Sequence, residues 1–226
     1  MNNISTQQAS MTQTLVNQIY DQLFGDASQN FDLYEGTIFS PANHRIVYLS
    51  ADIIRGIYEA LNYEAGEAWR VILKNCGLRW GKRIATSFDK ELRTIANRRL
   101  DTLTVNEYLN LLESYFSMHG WGKLSINLGE AERYGIVSCL LTHSIFSSVL
   151  HNVEGTVNCL IEGMLQGIFS GISNHELMCL EIISAAQIEP AENYFILTAN
   201  ERLSPLEDDI NNGLSVEDVM YRLKGH

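Results

Sequence analysis

The chain has 226 residues, 46% of them apolar and 19% charged, with 16 basic against 27 acidic side chains and a formal net charge of −11. That is enough apolar chain to bury a sizeable core and too much for a disordered one. The acidic balance argues against a nucleic-acid partner, because phosphates are repelled at long range. The first residues are polar and lack a signal-like apolar stretch, and no apolar run approaches the ~20 residues of a membrane span. Cys76, Cys139, Cys159 and Cys179 are scattered singly, which reads as reduced thiols in a cytoplasmic chain.

In chain order, Leu15, Ile19, Leu23 and Phe24 predict a helix over 12–24 that Gly25 closes, and residues 25–41 read as loop. Ser50 is placed to cap a helix bearing Ile53, Ile54, Ile57, Tyr58 and Leu61. Helical spacing continues from Glu64 to about Asn97, with Trp69, Leu73, Cys76, Trp80 and Ile84 on one face. Thr104 and Glu107 form a capping box for a helix carrying Tyr108, Leu111, Leu112, Tyr115 and Phe116, which Gly120 stops. The period then becomes that of strands over 121–128 and 134–142. A helix follows from about Asn152 to Ile172, its apolar stripe running from Val157 to Ile172. Strands at about 176–185 and 193–198 flank a turn containing Pro190. Ser204-Pro205 and Ser215–Asp218 open helices in an acidic tail, read as a partly exposed interaction arm. This order predicts an α+β fold, a helical layer packed on an antiparallel sheet of about four strands. The segments are an N-terminal helix and loop over 1–44, a main domain over 45–200, and a helical tail over 201–226.

Three features carry chemistry. Gly163, Gly167 and Gly171 recur every four residues on one helix face, which suits tight helix–sheet packing or a homodimer seam, or else close approach of a flat ligand. Residues 70–99 hold nine basic side chains against Asp89 and Glu91, either a face for lipid headgroups, ligand carboxylates or an acidic partner, or a solvated face that neutralises the protein's own acids. His143, after an apolar strand, and His119, beside Trp121, are placed to ligate the central metal of a tetrapyrrole. The alternatives are a hydrogen-bonded structural histidine and, for His119, a cation at a helix end. The nucleophile elbow GxSxG, the phosphate-cradling GxxxxGK[ST] and the dinucleotide GxGxxG are absent from the sequence.

The segments Asn62–Arg70 (NYEAGEAWR), Asn75–Arg83 (NCGLRWGKR) and Glu162–Phe169 (EGMLQGIF) resemble the 4-vinyl reductase domain family. So do the strand holding Cys179 and the strand Asn193–Leu197, with His119–Gly122 (HGWG) lying between the helical motifs. The resemblance spans about 45–200 and is nearest to cyanobacterial stand-alone members linked to chlorophyll proteins and photosystem II assembly. It implies a fold related to TRAPP-type vesicle-tethering subunits, which pair as dimers and hold an apolar chain in a buried channel. By that resemblance the chain is a non-catalytic binder of chlorophyll, a related tetrapyrrole or another apolar small molecule. Its partners are then photosystem assembly proteins and a second copy, with peripheral contact at the thylakoid membrane through residues 70–99. Trp69, Trp80 and Trp121 would wall the ligand, His119 or His143 would be its axial ligand, and Cys179 matches the first cysteine of the family's closing motif. Glu192 stands where that motif's second cysteine falls, so no zinc is expected, and no nucleotide cofactor either. Two other readings stay open: a vinyl reductase or its accessory subunit in chlorophyll biosynthesis, and a purely structural dimeric adaptor.

Overall fold

The structure is a computed structural model that describes residues 30–40, 43–96, 99, 102–182 and 192–225. The helix expected over 12–24 and the turn around Pro190 lie outside the described residues. In chain order the elements are β1 (Asn30–Asp32), β2 (Thr37–Phe39), β3 (Arg45–Ile46), α1 (Ala51–Ala65), α2 (Trp69–Ala96), α3 (Val105–Met118), β4 (Lys123–Asn127), α4 (Ala131–Tyr134), β5 (Val137–Thr142), α5 (Ile145–Val149), α6 (Cys159–Ser173), β6 (Leu177–Ile182), β7 (Glu192–Ala199), α7 (Asn200–Leu203), α8 (Glu207–Asn211) and α9 (Val216–Leu223). None of the described helices is long and apolar enough to cross a membrane. The chain divides into two compact units: residues up to Leu49 with Thr86–Met118, and Ser50–Ala85 with the chain from His119 onward.

In the first unit, β1, β2 and β3 form an antiparallel sheet in that order, with Phe31 opposite Ile38 and Ile38 opposite Ile46. This corrects the loop expected over 25–41 at residues 30–32 and 37–39, while 25–29 and 41 lie outside the described residues. Strands of two or three residues are too short to show an alternating pattern. The turn between β1 and β2 is closed by the Asp32 carboxylate, which accepts from the Tyr34 and Glu35 amides, both at 3.0 Å. The capping box forms as expected: the Thr104 amide donates to Glu107 Oε2 at 2.6 Å, and the Glu107 amide to Thr104 Oγ1 at 3.2 Å. Phe88 packs edge-on against Tyr108 and Tyr115, over a core that includes Leu92, Leu112 and Phe116.

The second unit holds a four-stranded antiparallel sheet in the order β4-β5-β7-β6, the number and class of strands the sequence predicts. The pairings place Cys139, Leu141, Phe195, Leu197, Cys179 and Glu181 on one face. Ile196, Met178, Leu180 and Ile182 lie on the other. That second face shares one apolar cluster with Leu203, Ile210, Val219 and Leu223 of the tail helices. The tail is acidic only on its outer side. Its apolar positions Leu203, Ile210, Val219 and Leu223 belong to the core, while Glu201, Asp208, Asp209, Glu217 and Asp218 are exposed.

α6 lies against α2 through glycines. A β-carbon added at Gly77 would fall 2.0 Å from the Leu160 carbonyl oxygen, and one at Gly81 2.2 Å from that of Met164. From the other side, a β-carbon at Gly163 would fall 1.9 Å from the Lys74 carbonyl oxygen, and one at Gly167 2.4 Å from that of Leu78. The two helices run in the same direction with their backbones in contact. Gly163 and Gly167 are thus covered by another helix of the same chain, rather than by the sheet, a second copy or a flat ligand, whereas Gly171 is exposed. Cys76, expected on the inner face of α2, is exposed, because the interlock turns Gly77 and Gly81 inward instead. α6 also begins seven residues later than expected. Arg70 donates to the carbonyls of Glu154 at 2.6 Å and Thr156 at 3.2 Å, which holds that stretch out of the helix.

Gly77→Ala or Gly163→Ala is expected to lower stability by about 3 kcal/mol or more, because neither backbone can yield. Gly56→Ala in α1, whose added carbon meets nothing within 4 Å, should instead gain up to about 1 kcal/mol. Urea unfolding midpoints of the three variants measure the contrast.

Candidate functional site

The segment that links α3 to β4 carries Trp121 between two glycines of positive φ, Gly120 at 70° and Gly122 at 128°. Gly122 is doubly constrained: a β-carbon there would lie 2.7 Å from the Thr142 carbonyl oxygen. The Trp121 carbonyl accepts from the Ile145 amide at 3.3 Å, which ties the segment to the start of α5. The Trp121 ring then stacks on Phe146, with centroids 6.0 Å apart and planes 7° from parallel. It meets Trp80 edge-on at 5.3 Å and 72°. Within this three-ring cluster the Trp121 indole N–H is buried and has no hydrogen-bond partner among the described residues. A buried donor left unpaired costs about 1–3 kcal/mol.

Beneath α5 lies a buried polar network with Asn158 at its hub. The Glu181 carboxylate accepts from the Asn158 side-chain amide at 2.6 Å and from its backbone amide at 3.1 Å. Asn158 also accepts from the Ser144 hydroxyl, and its amide nitrogen lies 3.1 Å from Ser147 Oγ and 2.9 Å from Asn193 Oδ1. Asn193 donates onward to the Leu141 carbonyl at 3.1 Å. Ser144 caps α5, the helix that presents Phe146 to Trp121. The network therefore fixes one wall of the aromatic cluster. Burial pushes the Glu181 carboxyl up to about 7, and the two Asn158 hydrogen bonds only partly oppose it.

A second buried pair sits at the edge of the sheet. Lys74 of α2 and Glu162 of α6 form an ion pair. Lys74 also donates to the Cys179 carbonyl at 3.1 Å, and Glu162 accepts from the Glu181 amide at 3.4 Å. Both backbone groups belong to the side of β6 that β7 leaves unpaired. Burial disfavours the Lys74 ammonium, but Glu162 outweighs that and holds it above its ordinary value. Burial likewise raises the Glu162 carboxyl, against the pull of Lys74.

Of the residues singled out in the sequence, Trp80 and Trp121 come together. Trp69 sits in another cluster with Leu73 and Cys159, edge-on to Tyr58 at 5.1 Å and under the Arg70 guanidinium. His143 is exposed, at a left-handed φ of 56° just past β5, and His119 is half-buried. Cys179 is fully buried on the helix-facing side of β6, and burial pushes its thiol well above the ordinary range. Burial pushes the Cys159 thiol up to about 12. Part of the basic stretch is used internally: Arg70 on loop carbonyls, Lys74 on Glu162, and Arg93 on Asp89 at 2.6 Å. Sequence reasoning missed Phe146, Asn158, Glu162 and Glu181. Two of them left a sign, because Glu162 and Glu181 each interrupt an otherwise apolar run.

No family model and no curated protein matches the chain. Among solved structures it is similar to the phenol-responsive sensory domain of the transcription activator PoxR, crystallised with phenol. The two are 16% identical with a TM-score of 0.63, over 90% of this chain and 98% of that one. A vinyl-4-reductase family protein from Methanocaldococcus jannaschii is 14% identical with a TM-score of 0.44, over 83% and 94%. Trafficking protein particle complex subunit 3 from Naegleria fowleri, covalently bound to palmitic acid, is 10% identical with a TM-score of 0.47, over 66% and 91%. At these identities the likeness to the sensory domain is one of fold, and the fold is α+β as expected.

Two outcomes follow from the buried groups. The folded chain keeps the Glu181 proton to higher pH than the unfolded chain does, so Glu181's contribution to stability is full below about 4.5 and is lost as pH rises through about 7. Glu181→Gln is expected to flatten that part of the stability–pH curve, measured by thermal melts between pH 4 and pH 8. Ellman's reagent should modify Cys76 alone in the native protein and all four cysteines after unfolding.

Proposed function

We propose that the second unit binds a small apolar molecule, a single ring or a body of similar size carrying one oxygen, against Trp80, Trp121 and Phe146. The carrying observation is the Trp121 indole N–H, buried among aromatic rings without an acceptor among the described residues. A ligand oxygen would give that donor its partner, and the rings would take the apolar body, the usual division of labour in small-molecule sites. The shared fold with a sensory domain crystallised with phenol supports the same class of guest. A ring-sized guest suits this cluster better than a tetrapyrrole, since of the two histidines expected as axial ligands His143 is exposed, and His119, half-buried beside Trp121, keeps the tetrapyrrole as the second reading. The role in photosystem II assembly depended on a pigment, and it falls back with the pigment to second place. The basic residues 70–99 are partly committed within the chain, so membrane contact adds nothing to this reading.

Titration with phenol, followed by tryptophan fluorescence, tests the proposal. Phenol is expected to give a saturable change, and Trp121→Phe to weaken phenol about five-fold, the worth of one hydrogen bond of about 1 kcal/mol. Toluene, which has no oxygen, should bind both proteins alike. A folded wild-type protein that shows no saturable change with phenol up to about 10 mM, where binding is worth under ~3 kcal/mol, would overturn the proposal. A pigment-like absorption spectrum in protein from its own host would replace it with the tetrapyrrole reading.

A further inference from the structure

The tail helices build a cleft of about 550 Å³ against α4, and four cations line it: Arg133, Arg202, Arg222 and Lys224. In a chain of net charge −11 that concentration runs against the general field. Arg202 is the fixed member. Its guanidinium donates to the carbonyls of Tyr134 and Leu223, at the ends of α4 and α9, and lies 3.3 Å from the Thr198 hydroxyl. Those carbonyls use its N–H groups without cancelling its charge. Arg133 and Lys224 both lie over the Tyr134 ring, at 5.0 and 5.5 Å. Arg133 makes no hydrogen bond or ion pair among the described residues.

Two carboxylates offset part of the charge. Arg222 pairs with Asp209 at 2.5 Å and Lys224 with Glu130 at 2.7 Å. Both pairs reach solvent, where such bridges are worth under about 1 kcal/mol and exchange readily for a better anion. Four cations against two carboxylates leave two positive charges. That matches a phosphate monoester above its second pKa of about 6. Guanidinium forks suit phosphate oxygens geometrically, and Leu206 and Leu223 supply apolar wall beside them. The volume is that of a small organic molecule rather than a bare ion.

We infer that this cleft binds an organic phosphate monoester, at a site separate from the aromatic cluster around Trp121. Isothermal titration at low salt, with phenyl phosphate as the probe, tests it. Saturable binding is expected, at least ten-fold tighter than that of inorganic phosphate and weakening as pH falls below about 6. Arg133→Glu should weaken phenyl phosphate at least ten-fold, whereas Asp209→Asn, which releases Arg222, should tighten it. Both residues are exposed, so unchanged thermal melts establish that the variants fold. Trp121→Phe should leave phenyl phosphate binding unaltered, which separates this site from the phenol site: either can fail while the other stands. No saturable heat with phenyl phosphate, equal binding by Arg133→Glu, or equal affinity for inorganic phosphate would overturn the inference.

Discussion

In the second unit two helix backbones touch, and the placement of the remaining parts follows from that contact. Glycine inside a helix costs about 1 kcal/mol relative to alanine. Gly77, Gly81, Gly163 and Gly167 together therefore carry an intrinsic penalty of several kcal/mol, which only close packing offsets. With α2 and α6 at backbone distance, Ile161, Met164, Leu165 and Ile168 are fully buried. Lys74 and Glu162, at the crossing itself, are carried to the margin of β6. Trp80, between Gly77 and Gly81 in the same α2 segment, is set edge-on to Trp121.

The polar interior shows which effect prevails when a carboxylate is buried. Desolvation disfavours the Glu181 anion, and among the described residues no cation faces it in the way that Lys74 faces Glu162. Two donors from one residue, Asn158, compensate in part, leaving a carboxyl that titrates near neutrality. Such a group is poor as a source of stability. Its value is positional: the same Asn158 that holds Glu181 also holds Ser144 and approaches Ser147, so strand β6, helix α6 and the short α5 share one fixed point. The wall that carries Phe146 is specified by hydrogen bonds.

Much of this architecture was legible in the sequence. The capping box at Thr104 and the change of period after Gly120 are local signals that formed where they were read, and the apolar stripe of α6 formed over a helix that begins later than expected. The three-stranded sheet of residues 30–46 was not legible, because its strands are shorter than the period needed to recognise them. The partner of the α6 glycines was also hidden. Spacing shows that a close approach occurs, but which backbone approaches is a tertiary fact, and the matching Gly77 and Gly81 gain meaning only once both helices are in place. Trp80 and Trp121 were marked by type, whereas Phe146, in a five-residue helix, carried no pattern. His143 drew attention for following an apolar strand, yet its left-handed backbone turns it out to solvent.

The ion pair at β6 also bears on self-association. A β-sheet grows at its margins, and fibres need two margins that accept further strands. Here Lys74 and Glu162 stopper one of them by occupying the carbonyl of Cys179 and the amide of Glu181. Among the described residues, that leaves β4 as the remaining outer strand. Strand addition is thus blocked at the β6 margin, and a fibre that needs both margins of this sheet cannot grow through it.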